Sequence, residues 1–222
     1  MMLESRARRL LTVAALSLFA VTACSSSEEP QAGRPDDYVC AIPAGSAEDK
    51  LLRQVIRADS YETQNGNRTP RFVEKMQTNL RGLPAGQVTR SVRQCSYFPD
   101  GRRGDGQATI EYSWAQPADA KKGAAKGARS YELNGATGTS DDVTTDLYVQ
   151  CRLPGELADS SATVLLHADA SFTVNLGAVK DHGTQDQQMD FVYRMARKAT
   201  EALGCENEPL AKDPVAKPLA AG

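Results

Sequence analysis

Two histidines and the adjacent aspartates Asp141-Asp142 are the side chains of this 222-residue chain best suited to acid–base work. His167 and Asp169 fall on the same side of an extended strand, where an imidazole beside a carboxylate could serve as a general base. The same pairing is far more common as a plain surface pair, and no Gly-x-Ser-x-Gly elbow supplies a nucleophile for it. His182 lies in Lys180-Asp181-His182-Gly183, which reads as a turn, and Asp141-Asp142 read as two solvated carboxylates ahead of a strand. Asp100 to Glu111 has the length of a calcium-binding loop. Arg102 and Gly104 stand at its ligand positions, however, and Asp105 stands where glycine is required. Arg103-Gly104-Asp105 is an integrin-type tripeptide, too short to carry a function by itself.

Five cysteines complete the reactive inventory. Cys40, Cys95, Cys151 and Cys205 make an even set with no Cys-x-x-Cys spacing, which argues for disulfides rather than zinc and implies no metal or other cofactor. Four cysteines allow three pairings. Export of one segment after another favours the sequential one, Cys40–Cys95 and Cys151–Cys205. Each such bridge closes a loop worth about 4 kcal/mol in the chain-entropy model.

The fifth cysteine belongs to the N-terminus. Arg6, Arg8 and Arg9 precede an uncharged run from Leu10 to Val21. A positive flank, a short apolar run and small residues after it form a secretory signal, and the run is too short to span a membrane. It ends in Val21-Thr22-Ala23-Cys24, which resembles the lipobox of bacterial lipoproteins. That resemblance implies a diacylglycerol on the Cys24 thiol and cleavage before it, so that residues 1–23 are signal peptide. Two acyl chains anchor stably where one is marginal. The residues after Cys24, as far as Asp37, are Ser, Glu, Pro, Gly and other polar types and read as a disordered tether.

Without the signal, 23 basic side chains face 27 acidic ones, a mildly acidic balance that excludes an ordinary nucleic-acid binder. Lys121, Lys122, Lys126 and Arg129 make a local basic cluster, read as a solvated loop.

Positioning elements follow from periodicity. Ser46 with Asp49 opens a helix over 47–59, with Leu51, Leu52, Val55 and Ile56 on one face. Thr69 as cap, Pro70 and Gly82 bracket a second helix, with Asn65-Gly66 as the turn between the two. Val88–Phe98 and Ala108–Trp114 form a hairpin with a long glycine-rich tip, and Tyr131 and Leu133 mark a short strand. Strand alternation then runs from Val143 to Leu153 and from Val164 to Leu176, one face apolar and the other wet. Thr184 with Gln187 opens a last helix carrying Met189, Val192, Met195, Ala196, Ala199 and Leu203, closed by Gly204.

The expected fold is α+β: a twisted antiparallel sheet with helices on one face and two disulfides. The expected folded domain spans 38–205, with two sub-modules, 38–115 and 130–205, as the alternative division, and residues 206–222 read as a disordered tail. Cys40 to Cys95 and Cys151 to Cys205 are similarly spaced, but the elements after Cys40 and Cys151 differ, which speaks against duplication. The body, with Cys95-Ser96-Tyr97 on a strand and an Ala-rich last helix ending Leu203-Gly204-Cys205, resembles the secreted lipoproteins of unassigned activity found in actinomycetes. The resemblance implies a domain held by lipid on the extracytoplasmic face of the cell membrane, and the domain itself is expected to be a monomer. The expected role is non-enzymatic binding of an envelope protein or glycan, with an envelope hydrolase or a lipid or small-ligand carrier as the alternative.

Overall fold

A computed structural model describes residues 37–84, 86–100, 106–121, 127–174, 184–215 and 218–219. Its centre is one seven-stranded antiparallel sheet, ordered β1-β2-β3-β7-β6-β5-β4. The strands are β1 (Tyr61–Asn65), β2 (Val92–Pro99), β3 (Gly106–Ala115), β4 (Arg129–Leu133), β5 (Ala136–Ser140), β6 (Thr144–Val149) and β7 (Leu165–Val174). The helices are α1 (Ala47–Ile56), α2 (Thr69–Arg81), α3 (Ala158–Ala162) and α4 (Thr184–Leu203). The α+β expectation holds. The two sub-modules do not separate: β3, from the first, pairs with β7, from the second, over ten residues each.

Local chemistry sets the helix ends. Ser46 Oγ accepts the Asp49 N–H at 3.1 Å, and Asp49 Oδ2 accepts the Gly45 N–H at 2.8 Å. The first helix stops at Ile56, three residues short of the expected end. Arg57 turns left-handed at φ 55°, and its N–H and that of Ala58 satisfy the last carbonyls. That early stop frees the chain for β1, which the sequence reading missed. α2 starts at Thr69 itself, so Arg68 rather than Thr69 occupies the cap position. Gly66 follows β1 because a Cβ there would meet Arg93 O at 2.4 Å.

α1, α2 and α4 cover one face of the sheet, and three long-range bonds show which. Tyr112 Oη donates to Met195 O (3.1 Å), Trp114 Nε1 to Met76 O (2.9 Å) and Tyr97 Oη to Cys40 O (3.0 Å). Each polar tip of a buried ring therefore has a partner, as burial demands. Tyr97, Phe172 and Phe191 meet edge to face, with Tyr97–Phe191 centroids 6.0 Å apart and Phe172–Phe191 centroids 6.2 Å apart. Ala168 and Ala170 of β7 and Ala196 and Ala199 of α4 are fully buried, so α4 packs closely on the sheet. The buried rings of Tyr97, Tyr112, Trp114, Phe172 and Phe191 lie in the layer between sheet and helices.

Both disulfides are present as expected. Cys40 bridges Cys95 with Cα atoms 5.3 Å apart, and Cys151 bridges Cys205 at 5.1 Å. The first ties the entry of the domain to β2, and the second ties the end of α4 to the residue following β6 by two.

The tail departs from expectation in its described part. Leu210 is 1% exposed, Tyr193 Oη donates to Lys212 O at 2.9 Å, and Leu219 N–H donates to Ser130 O at 2.8 Å. A proline-bearing, small-residue composition reads as disorder, but one buried leucine and hydrogen bonds between the segment's main chain and the Tyr193 side chain of α4 and the Ser130 carbonyl of β4 hold it in place.

Candidate functional site

No helix covers the second face of the sheet among the described elements. Side chains on it alternate with the buried set and line up across strands in register. One row runs Ser113–His167–Tyr148–Thr137 through β3, β7, β6 and β5. The next runs Arg93–Glu111–Asp169–Asp146–Thr139 from β2 to β5. A third holds Thr109, Ser171 and Thr144. Residues lying directly opposite in neighbouring strands are close enough to interact strongly, and like charges so placed destabilise the sheet. Glu111, Asp169 and Asp146 are three carboxylates opposed in this way on its three central strands.

His167 joins the first two rows. Its Nε2 lies 2.7 Å from Asp146 Oδ1, and its Nδ1 lies 3.3 Å from Ser113 Oγ. A carboxylate oxygen accepts, so Nε2 donates to Asp146, and the Ser113 hydroxyl can either donate to Nδ1 or accept from it. The Tyr148 ring stacks on the imidazole at 4.3 Å, nearly parallel at 4°. The ring is thus held by a carboxylate, a hydroxyl and an aromatic face at once. Its partner is Asp146 on the neighbouring strand. The expected neighbour, Asp169, shares the face two residues along but does not hold the ring, and His167 is half-buried rather than an exposed surface pair.

Electrostatics follow from this crowding. Burial, then the charges of Asp146 and Glu111, push the Asp169 carboxyl above its ordinary range, while His167 works in the opposite sense. Burial, then Asp146, Asp119 and Asp169, push the Tyr148 phenol up to about 12. Asp119 lies on the short 3-10 turn Asp119–Lys121, so the chain leaving β3 passes near Tyr148. One arginine answers the carboxylates from β2: Arg93 Nε lies 2.8 Å from Glu111 Oε1.

The Ser113–His167–Asp146 connectivity has the order of a hydrolytic triad, but its surroundings do not suit acyl transfer. Ser113 sits on the floor of the sheet, 6% exposed, within the β3–β7 ladder. The N–H after it, that of Trp114, donates to Thr89 Oγ1 at 2.9 Å. An oxyanion hole needs amides aimed at free space, and this one is spent within the protein. The arrangement can accept hydrogen bonds and attract cationic groups. Among the described residues, no group of three or more His, Cys, Asp or Glu side chains is placed to hold a metal ion, and no helix is long and apolar enough to cross a membrane.

Of the residues singled out in the sequence, Cys24, Arg103-Gly104-Asp105, Lys122, Lys126 and His182 lie outside the described residues, as does the Thr184 side chain. Asp141 is a turn-former: its carboxylate accepts the N–H groups of Val143 (2.8 Å) and Thr144 (2.7 Å). Asp142 accepts from Gln185 Nε2 at 3.1 Å, and Arg129 faces Asp186 at 3.5 Å. Ser113, Asp146, Tyr148 and Glu111 were missed as site residues. Their alternation places them on the wet face, and only the strand register brings them together. The chain matches no known family model, no curated protein and no solved structure.

Proposed function

We propose that this chain is a lipid-anchored extracytoplasmic lipoprotein acting as a non-enzymatic binding module, with the open face of the sheet as its contact surface. The observation that carries the reading is the row Glu111–Asp169–Asp146, kept on three central strands although like charges so opposed cost stability. A surface that retains such a cost suits a basic stretch of a partner protein, whose charges relieve it. The lipobox-like Val21-Thr22-Ala23-Cys24 supports the membrane address, with diacylglycerol on Cys24 as the link. Calorimetric titration with an oligolysine peptide tests the surface: the native protein binds, and a Glu111→Gln/Asp146→Asn/Asp169→Asn variant loses binding. Equal binding by the triple variant refutes the surface.

A hydrolase is the second reading, favoured by the Ser113–His167–Asp146 connectivity alone. A fluorophosphonate probe decides between them. The binding-module reading expects no label on Ser113, and labelling that vanishes in Ser113→Ala would establish the hydrolase.

A further inference from the structure

The two edges of the sheet are treated differently. β1 ends one side with nothing described beyond it, whereas the other edge, β4, is closed by the protein's own C-terminus. Pro218 forms an antiparallel bridge with Tyr131, and the Leu219 N–H donates to Ser130 O at 2.8 Å. The root of this segment is fastened tightly. Cys205 is bridged to Cys151, Leu210 is buried, and Asp213 sits 3.2 Å from Arg197 Nη1 while its carbonyl accepts from Asn134 Nδ2 at 3.3 Å. Among the described residues the tip adds the Pro218 bridge and the Leu219 hydrogen bond, and the apolar side chains of Val215 and Leu219 remain 63% and 51% exposed.

An unpaired edge strand is a template for another strand, and proteins cover it or accept association. Because the N–H and C=O of a strand residue point to the same side and alternate along it, Ser130 and Glu132 turn their main-chain groups to the outer edge, while Arg129, Tyr131 and Leu133 turn theirs to β5. A second copy of β4 laid antiparallel about Tyr131 sets Ser130 against Glu132 of the other copy and Arg129 against Leu133. The outward groups pair completely, and neither Glu132 nor Arg129 meets its own charge. The buried face of Tyr131 and Leu133 continues into the second sheet.

We propose that the tip around Pro218 and Leu219 is a displaceable edge strap that keeps the protein monomeric, and that lifting it lets β4 pair with β4 of a second copy. The test is sedimentation of the full-length chain in non-ionic detergent against three variants: a chain ending at Asp213, the full chain with Leu219→Pro, and the shortened chain with Glu132→Pro. Leu219→Pro removes the donor to Ser130 O without shortening anything, and it keeps the test valid if the shortened chain fails to fold. Glu132→Pro removes an outward edge N–H, a position where proline is tolerated. The full chain is expected as a monomer, the shortened chain and Leu219→Pro as dimers, and Glu132→Pro as a return to monomer. Folded variants that stay monomeric throughout, or a dimer indifferent to Glu132→Pro, would overturn the proposal.

Discussion

Asp169 stands directly opposite Asp146 across the β6–β7 ladder and directly opposite Glu111 across the β3–β7 ladder. Its carboxyl is raised by burial and by both neighbours, so it binds its proton more tightly folded than unfolded. The stabilising contribution of that proton is complete below the ordinary carboxylate range and is lost as pH rises through the raised value. Asp169→Asn should therefore stabilise the protein at neutral pH by about 0.2–1 kcal/mol, the scale of a cross-strand pair. Thermal unfolding across pH should show that advantage shrinking to nothing in acid. A gain independent of pH would mean that charge is not its cause.

Asp49 predicts the opposite sign. The Gly45 N–H, then Arg53 and Tyr61, hold its carboxyl below the ordinary range against the effect of burial. Its contribution is present above the unfolded value and disappears as pH falls through the lowered one. Asp49→Ala should cost about 1–3 kcal/mol at neutral pH, as for a charged hydrogen-bond hub, and less in strong acid. Denaturant titrations at two pH values measure the difference, and a cost that is equal at both would count against the ionised hub.

Much of this architecture is legible in the sequence, and the failures share a cause. The alternation from Val164 to Phe172 and the stripe Met189–Val192–Met195–Ala199 state their periods plainly, and both elements are where those periods put them. β1, Tyr-Glu-Thr-Gln-Asn, and β5, Ala-Thr-Gly-Thr-Ser, bury little or are built of small residues, so neither shows a hydrophobic period. Their strand character comes from the neighbours they pair with. The strand at β6 ends at Val149, not Leu153, and Val143, counted on its apolar face, is 39% exposed. The site was half visible for the same reason. His167 and Asp169 share a strand and so a face, whereas the His167–Asp146 contact depends on a register between strands that composition does not encode.

Gly138 is a position where lack of a side chain is required. A Cβ there would lie 2.4 Å from Asp146 O and 2.8 Å from Met189 Cε. Gly138→Ala should destabilise by about 1–3 kcal/mol through overpacking. Adding Met189→Ala relieves one contact and leaves the backbone clash, so the double variant should not regain native stability in chemical denaturation. Full recovery would place the whole conflict in the methionine.

The bridges Cys40–Cys95 and Cys151–Cys205 should appear as the two disulfide-linked peptides of a non-reducing digest, with Cys24 in neither. Opening either one frees a loop worth about 4 kcal/mol in the chain-entropy model. A Cys95–Cys151 or Cys40–Cys151 peptide would contradict the packing of β2 and α4 described above.

Residue-resolved NMR of a domain beginning at Asp37, titrated with oligolysine, tests the central claim most directly. The open-face reading predicts shifts gathered on Glu111, Ser113, Asp146, Tyr148, His167 and Asp169, fading as salt is raised. Shifts spread evenly over the surface, or gathered on the helical side, would contradict it.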